Sequence, residues 1–228
     1  MTILGFDTST KFLPVVLGDE SGIIYACDLD SYLKHSAILI PSVKRVLKEG
    51  GRKREDIDVV AVGLGPGSLT GLRVGLATAK GLCLGLNKPL IGICSLDIIA
   101  QNTEKDETDI CVLVDAKRSL VFSALYRRSR GRVKRIRPLR LSSPEEAISG
   151  LKGDTVFSGD GMFLYKGLIR KMTNDPCFAC EKDWYPRSEC ILKTALLSRN
   201  KKTRDINEIV PLYLYPKECQ IRVVSCEL

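Results

Sequence analysis

Gly63-Leu64-Gly65-Pro66-Gly67-Ser68-Leu69-Thr70-Gly71-Leu72-Arg73-Val74-Gly75 is the stretch on which the reading of the fold turns. The apolar run Ile57 to Val62 before it has the length of a buried strand, and a helical stretch follows from about Thr70 to Leu86. Asn87-Lys88-Pro89 ends that helix, and Leu90 to Cys94 reads as another strand. Upstream, Ile3 to Phe6, Leu13 to Leu17 and Gly22 to Leu29 are strand signals separated by turn residues, an antiparallel meander. A helix from about His35 to Glu49 comes next, with Leu39, Val43, Val46 and Leu47 on one face, Gly50-Gly51 as its stop and Pro41 in its first turn or kinking it. Meander, helix, strand, helix, strand is the order of one ribonuclease-H-like half of the actin and sugar-kinase fold.

Downstream, the chain turns polar between Gln101 and Asp109, which predicts a boundary between a unit of residues 1–102 and one of 103–228. Strand signals start again at Ile110 to Val114, Ser119 to Tyr126 and Val133 to Leu139. Helix-like Pro144 to Ser149, a strand at Thr155 to Ser158 and a helix at Gly161 to Lys171 follow, then a helical tail from Glu189 to Arg199 and an extended Val210 to Tyr215 ended by Pro216. The expected class is therefore α/β, an actin-like fold of two ribonuclease-H-like subdomains with mixed sheets, the second a degenerate copy of the first.

A chain of 228 residues with 44% hydrophobic content can bury one substantial core or two smaller ones. The N-terminus runs straight into a strand without a basic and apolar leader, so the expected location is the cytoplasm. Nine cysteines are an odd number, and Cys83, Cys94 and Cys111 sit in apolar runs as small hydrophobes, so reduced thiols are expected. Cys177 and Cys180 have ligand spacing, with Cys190, Cys219 and Cys226 downstream, but no second close pair completes a zinc set. The net charge of +8 admits an acidic partner, and from Arg127 to Arg140 eight basic residues occur without an acid. That tract reads as a solvated hairpin turning at Ser129-Arg130-Gly131, or as a strip that follows a phosphate backbone.

Four features could carry chemistry. The glycine loop precedes a helix, where backbone amides bind anions, yet Thr70-Gly71-Leu72-Arg73 stands where a P-loop needs Gly-Lys-Ser/Thr; the loop is a weak phosphate site or a tight turn. Asp7 ends the first strand and leads Thr8-Ser9-Thr10, either an acid reaching a metal-nucleotide or an Asx turn. His35 has no carboxylate or second histidine near it in sequence. The helix after the loop is apolar around nearly its whole circumference, with Gly71, Gly75 and Ala79 at every fourth position and Arg73 and Lys80 excluding lipid. Such a helix is enclosed within its own chain or covered by a partner protein.

Ile3-Leu4-Gly5-Phe6-Asp7-Thr8-Ser9-Thr10, His35-Ser36 with Pro41 beyond it, and above all Gly65-Pro66-Gly67-Ser68-Leu69-Thr70-Gly71-Leu72-Arg73-Val74-Gly75 resemble the TsaB (YeaZ) family. The resemblance covers most of residues 1 to 100, is supported by Asp115-Ala116-Lys117-Arg118 and Val210-Pro211-Leu212-Tyr213-Leu214, and weakens across the basic hairpin and around Cys177. It implies the acetate kinase, heat-shock protein and actin fold. It also implies a part in making the threonylcarbamoyl modification on the adenosine beside the tRNA anticodon, as the non-catalytic paralogue of the TsaD transferase. The catalytic relative binds metal through a His-x-x-x-His pair on the first long helix; here Leu39 follows His35 at the second position, so no metal is expected.

The family pairs with TsaD, or with itself when alone, through the first two helices. The expected interface is accordingly His35, Leu39, Val43, Gly71, Leu72, Gly75, Leu76 and Ala79, with a TsaE-type ATPase as a further complex subunit, tRNA reached indirectly and no membrane. Asp7, Gly65 and Gly67 would form at most a vestigial nucleotide site, with ATP or ADP and magnesium as the cofactor to test and none intrinsic. The rival readings are an actin-like ATPase or small-molecule kinase and a direct tRNA-binding module.

Overall fold

The computed structural model describes residues 1–30, 34–151, 153–203 and 205–215. Pro216, Cys219 and Cys226, named above, lie outside the described residues. The first sheet is built from β1 (Ile3–Phe6), β2 (Phe12–Asp19), β3 (Gly22–Asp30), β4 (Val59–Gly63) and β5 (Leu90–Ile93) in the order β3-β2-β1-β4-β5. β1 runs antiparallel to β2 and parallel to β4. Its four residues and the five of β4 are all buried, as the unbroken apolar composition of strands covered on both faces requires.

Helices α1 (His35–Glu49) and α2 (Leu69–Leu86) cover one face. Ser68 caps α2, its Oγ accepting from Gly71 N, and Asn87 ends it in the left-handed conformation (φ 51°). Pro41 stands in the second turn of α1 rather than the first, on its exposed side. Leu39, Val43, Val46, Leu76 and Ala79 meet Leu4, Phe6, Leu17, Val60 and Val62 in the first core.

The second half repeats the plan. β6 (Thr108–Lys117), β7 (Leu120–Ser129), β8 (Arg132–Ser142), β9 (Val156–Ser158) and β10 (Cys177–Phe178) form a sheet of order β8-β7-β6-β9-β10, with a meander first and then two parallel strands. That is the topology of the first sheet, without sequence similarity between the two. The β7–β8 turn is at Arg130-Gly131, both left-handed (φ 49° and 71°), the geometry of a tight hairpin. Helices α4 (Pro144–Ile148), α5 (Asp160–Leu164) and α6 (Lys166–Met172) cover one face; the single helix expected over Gly161 to Lys171 is broken at Tyr165.

Two further helices close the structure by exchange. α3 (Ser95–Gln101), which follows the first sheet, places Leu96, Ile99 and Ala100 against Ile110, Val112, Phe122 and Tyr126 of the second. α7 (Ser188–Leu197), which follows the second sheet, places Cys190, Ile191 and Leu192 against Ile3, Val16, Val59 and Ala61 of the first. The two sheets are thus separate in sequence, β5 ending at Ile93 and β6 starting at Thr108, while the helix after each sheet packs on the other.

Candidate functional site

Two regions bear on function: the cleft between the halves, bordered by part of the glycine loop, and the outer face of α1 and α2. Asp7 is fully buried at the end of β1. Its Oδ1 accepts from Ser9 N at 2.7 Å and Ser9 Oγ at 2.5 Å, and its Oδ2 accepts from Ser95 Oγ at 2.6 Å. A Cβ on Gly63 would lie 1.9 Å from Oδ2, so the β4 backbone walls the carboxylate in from that side. Burial raises the carboxyl above its ordinary value, against the hydrogen bonds from Ser9 and Ser95. This is the Asx-turn geometry, tied across the sheet to the start of α3.

The loop is equally self-contained. Gly65 has φ 85° and donates its N–H to Ser95 Oγ at 3.1 Å, while its carbonyl accepts from Ser95 N at 2.9 Å. The Gly65-Pro66 peptide is cis. Gly67 fits because a Cβ there would stand 2.3 Å from the Ser9 carbonyl oxygen, to which Ser68 N also donates at 2.8 Å. The N–H groups of Gly65 and Ser68 are therefore spent inside the chain, while Gly67, Ser68 and Leu69 border the cleft. Of Asp7, Gly65 and Gly67, only Gly67 lines the cleft.

The cleft itself has a volume of about 580 Å³ and is bordered by Thr10, Lys11, Ser68, Asp115, Lys117, Asp160, Tyr185 and Tyr215, among others. Lys117, Arg118 and Ser119, at the β6–β7 turn, are three successive non-glycine residues in the left-handed region (φ 64°, 52° and 58°). Asp115 Oδ1 accepts from Lys117 N and Oδ2 from Lys117 Nζ, and Asp160 Oδ1 accepts from Asp115 N at 3.0 Å. Burial, with Asp115 beside it, raises the Asp160 carboxyl. The sequence marked Asp115-Ala116-Lys117-Arg118 but gave no sign that Asp115 pairs with Asp160, whose local signal is Gly159-Asp160-Gly161. A magnesium nucleotide needs acids with free oxygens facing it. Asp7 is walled off and Asp115 is held by Lys117, whereas Asp160 borders the cleft without a salt bridge among the described residues.

The expected interface residues lie mostly on the inner sides of α1 and α2. His35, Leu39, Val43, Leu72, Leu76 and Ala79 are all buried within this chain. A Cβ on Gly71 would lie 2.0 Å from Thr8 O, and one on Gly75 2.2 Å from Thr8 Oγ1. The small residues at every fourth position therefore admit the β1–β2 loop of the same chain, not a partner helix. The face of α2 left open is Arg73, Ala77, Gly81, Leu84 and Gly85, with Leu84 70% exposed and open space around Gly81 and Gly85. Ile40 of α1 is 40% exposed as well. α2 is the helix among the described residues with the length and composition of a membrane span, but its inner face packs on the first sheet.

Among the described residues no cluster of three or more metal-ligating side chains occurs. Burial pushes the Cys83 thiol up to about 11 and that of Cys111 up to about 12, keeping both protonated and inert. Cys177 is half-buried and Cys180 exposed, and neither is disulfide-bonded.

Residues 31–212 match the family model described as TsaD, tRNA N6-adenosine threonylcarbamoyltransferase. The chain is 28% identical to the tRNA threonylcarbamoyladenosine biosynthesis protein TsaB of Bacillus subtilis over 100% of both chains. It is 34% identical to the TsaB of Escherichia coli over 56% of each. Its structure superimposes on YeaZ from Pseudomonas aeruginosa with a TM-score of 0.81 and 25% identity, covering 93% of this chain and 99% of that one. The activator of the 2-hydroxyisocaproyl-CoA dehydratase from Clostridium difficile, with bound ADPNP, shares the fold more distantly, with a TM-score of 0.52 and 10% identity, covering 93% of this chain and 100% of that one. Two mixed five-stranded sheets of like topology are the architecture of these actin-like proteins, and the chain belongs to the TsaD family of tRNA threonylcarbamoyltransferases, on its TsaB (YeaZ) branch.

Proposed function

We propose that this chain serves tRNA threonylcarbamoyladenosine biosynthesis as a non-catalytic subunit that binds and supports a TsaD-type transferase. The family match over residues 31–212 and the names of the full-length relatives support the pathway. The observation that carries the subunit role is the outer face of α2, where Leu84 is 70% exposed beside the bare backbone of Gly81 and Gly85. A helix with no side chain at two of its outward positions lets a second helix approach closely, and an exposed leucine beside them supplies an anchor for it. Ile40 extends the apolar strip onto α1, and Lys44, Arg45, Lys48 and Arg73 rim it with positive charge. The same face would pair two copies of this chain when the transferase is absent, and a TsaE-type ATPase would join the assembled pair. The non-catalytic reading is supported by Asp7, whose carboxylate is saturated by Ser9 and Ser95.

Co-purification with the transferase tests the reading. Wild-type chain is expected to be retained and to restore threonylcarbamoyladenosine in cells depleted of their own TsaB; failure of both ends the proposal. The cleft of about 580 Å³ favours one second reading, an ATPase or small-molecule kinase. Calorimetry with ATP and magnesium separates the two, because tight binding with turnover fits only an enzyme.

A further inference from the structure

The basic tract from Arg127 to Arg140 is sorted by the structure into two groups. Arg127 is ion-paired with Asp109, Arg128 lies 3.8 Å from Asp106, and Arg135 is ion-paired with Asp97 beneath the Tyr126 ring. These three belong to the fold. The remaining cations, Arg130, Arg132, Lys134, Arg137 and Arg140, are exposed and have no acidic partner among the described residues; Arg137 reaches only the neutral Ser149 carbonyl, at 3.2 Å.

Four of the five share one face of the sheet. Arg132, Lys134, Arg137 and Arg140 stand opposite Ser129, Arg127, Leu125 and Ser123 of β7, alternate residues whose side chains point the same way. β8 is the edge strand of its sheet, so no further strand hides them. At about 7 Å for every second residue, they make a linear array of uncompensated charge along an outer rim. The register shifts of β7 against β8 open a recess of about 470 Å³ between Arg137 and Arg140, lined by one carboxylate, Glu146.

A protein partner would need buried aromatic or aliphatic anchors at the centre of its footprint. β8 has no aromatic residue, and Ile136, 47% exposed, is its one large apolar side chain on the surface. The same lack of aromatics removes the stacking platform that a single strand would use. What remains suits a phosphate backbone held at fixed spacing. We infer that the β8 edge is a contact surface for the phosphate backbone of a folded, base-paired RNA, the tRNA substrate class of the proposed pathway. This inference rests on the reading given under Proposed function and adds a direct contact where the sequence implied an indirect one.

The test measures binding of an unmodified tRNA transcript to the full chain by fluorescence anisotropy across a salt series. Wild-type affinity is expected to fall steeply with salt. Combining Arg132→Ser, Lys134→Ser, Arg137→Ser and Arg140→Ser should weaken binding about tenfold or more and flatten the log–log salt slope by about 3. A control with the same change in net charge, Lys171→Ser, Lys193→Ser, Arg199→Ser and Lys202→Ser, should change the slope by less than about 1. Lys134→Ser and Arg140→Ser singly, each expected to remove about one unit of slope, carry the test even where the fourfold variant does not fold. Equal losses in the two fourfold variants, an unchanged slope in the single variants, or equal competition by polyglutamate would overturn the inference. Restoration of threonylcarbamoyladenosine in TsaB-depleted cells is scored in parallel. A chain that restores the modification but shows no β8-dependent binding defeats this inference alone, whereas one that neither restores it nor co-purifies with the transferase defeats the proposed function.

Discussion

Thr8 occupies the space that a side chain on Gly75 would need: a Cβ built on Gly75 lies 2.2 Å from Thr8 Oγ1, and that hydroxyl donates to the Gly71 carbonyl at 2.8 Å. The contact fixes α2 on the β1–β2 loop. Gly75→Ala should destabilise the fold by about 1–3 kcal/mol through overpacking. Gly81→Ala, with nothing within 4 Å of the added atom, should stabilise it by about 0.5–1 kcal/mol through helix propensity. Urea denaturation of the two variants checks the pair, and equal effects would contradict the placement of α2.

Leu84→Glu puts a charge at the most exposed apolar position of α2. Its thermal midpoint should stay within a few degrees of wild type, since the side chain is 70% exposed in the monomer. Association with a TsaD-type transferase should weaken about tenfold or more. A quantitative pull-down reads the second effect, and undiminished capture would move the partner surface elsewhere.

The buried Asp7 carboxyl makes stability depend on pH. Its folded-state value is raised by burial, so the native chain holds the proton more tightly than the unfolded chain. Between the unfolded and folded values the native state therefore binds more protons, and stability falls as pH rises through that interval. Asp7→Asn lacks this loss. The stability difference between variant and wild type should shift in the variant's favour as pH is raised from the unfolded carboxylate range toward neutrality, measured as denaturation midpoints. A constant difference across the series would mean that Asp7 titrates as it does in the unfolded chain.

Ile191 lies wholly buried against the first sheet, with its Cγ2 2.6 Å from where a Cβ on Gly5 would stand. Ile191→Ala should cost about 2–5 kcal/mol by leaving a cavity between α7 and β1. Hydrogen exchange should show the loss of protection in residues 3–6 as well as in α7, although the substitution is nearly two hundred residues away in sequence.

The strand and helix order was legible because each element carries its own local signal. α1 matched its expected bounds, His35 to Glu49, since Gly50-Gly51 stops it without ambiguity. α3 was missed: seven residues are too few to show a helical period, and its polar C-terminal end merges into the charged stretch after Gln101. For α2 the composition gave the element but could not show which side faces out. Apolar residues surround the whole helix, so only the packing shows that the glycines at 71 and 75 face Thr8 while Leu84 faces out. Asp7 could be read two ways until Ser95, distant in sequence, was seen to complete its hydrogen bonds. In the same way, which arginines of the basic tract are neutralised depends on Asp97, Asp106 and Asp109, acids outside that tract.

The exchange of α3 and α7 governs the moment at which this protein can mature on the ribosome. The inward surface formed by Ile3, Val16, Val59 and Ala61 lacks the cover of α7 until Cys190, Ile191 and Leu192 have emerged from the exit tunnel. The first sheet must wait, with greasy β-structure bare, for a helix nearly a hundred residues further along the chain, and nascent chains stalled before residue 188 are the ones that should recruit chaperones.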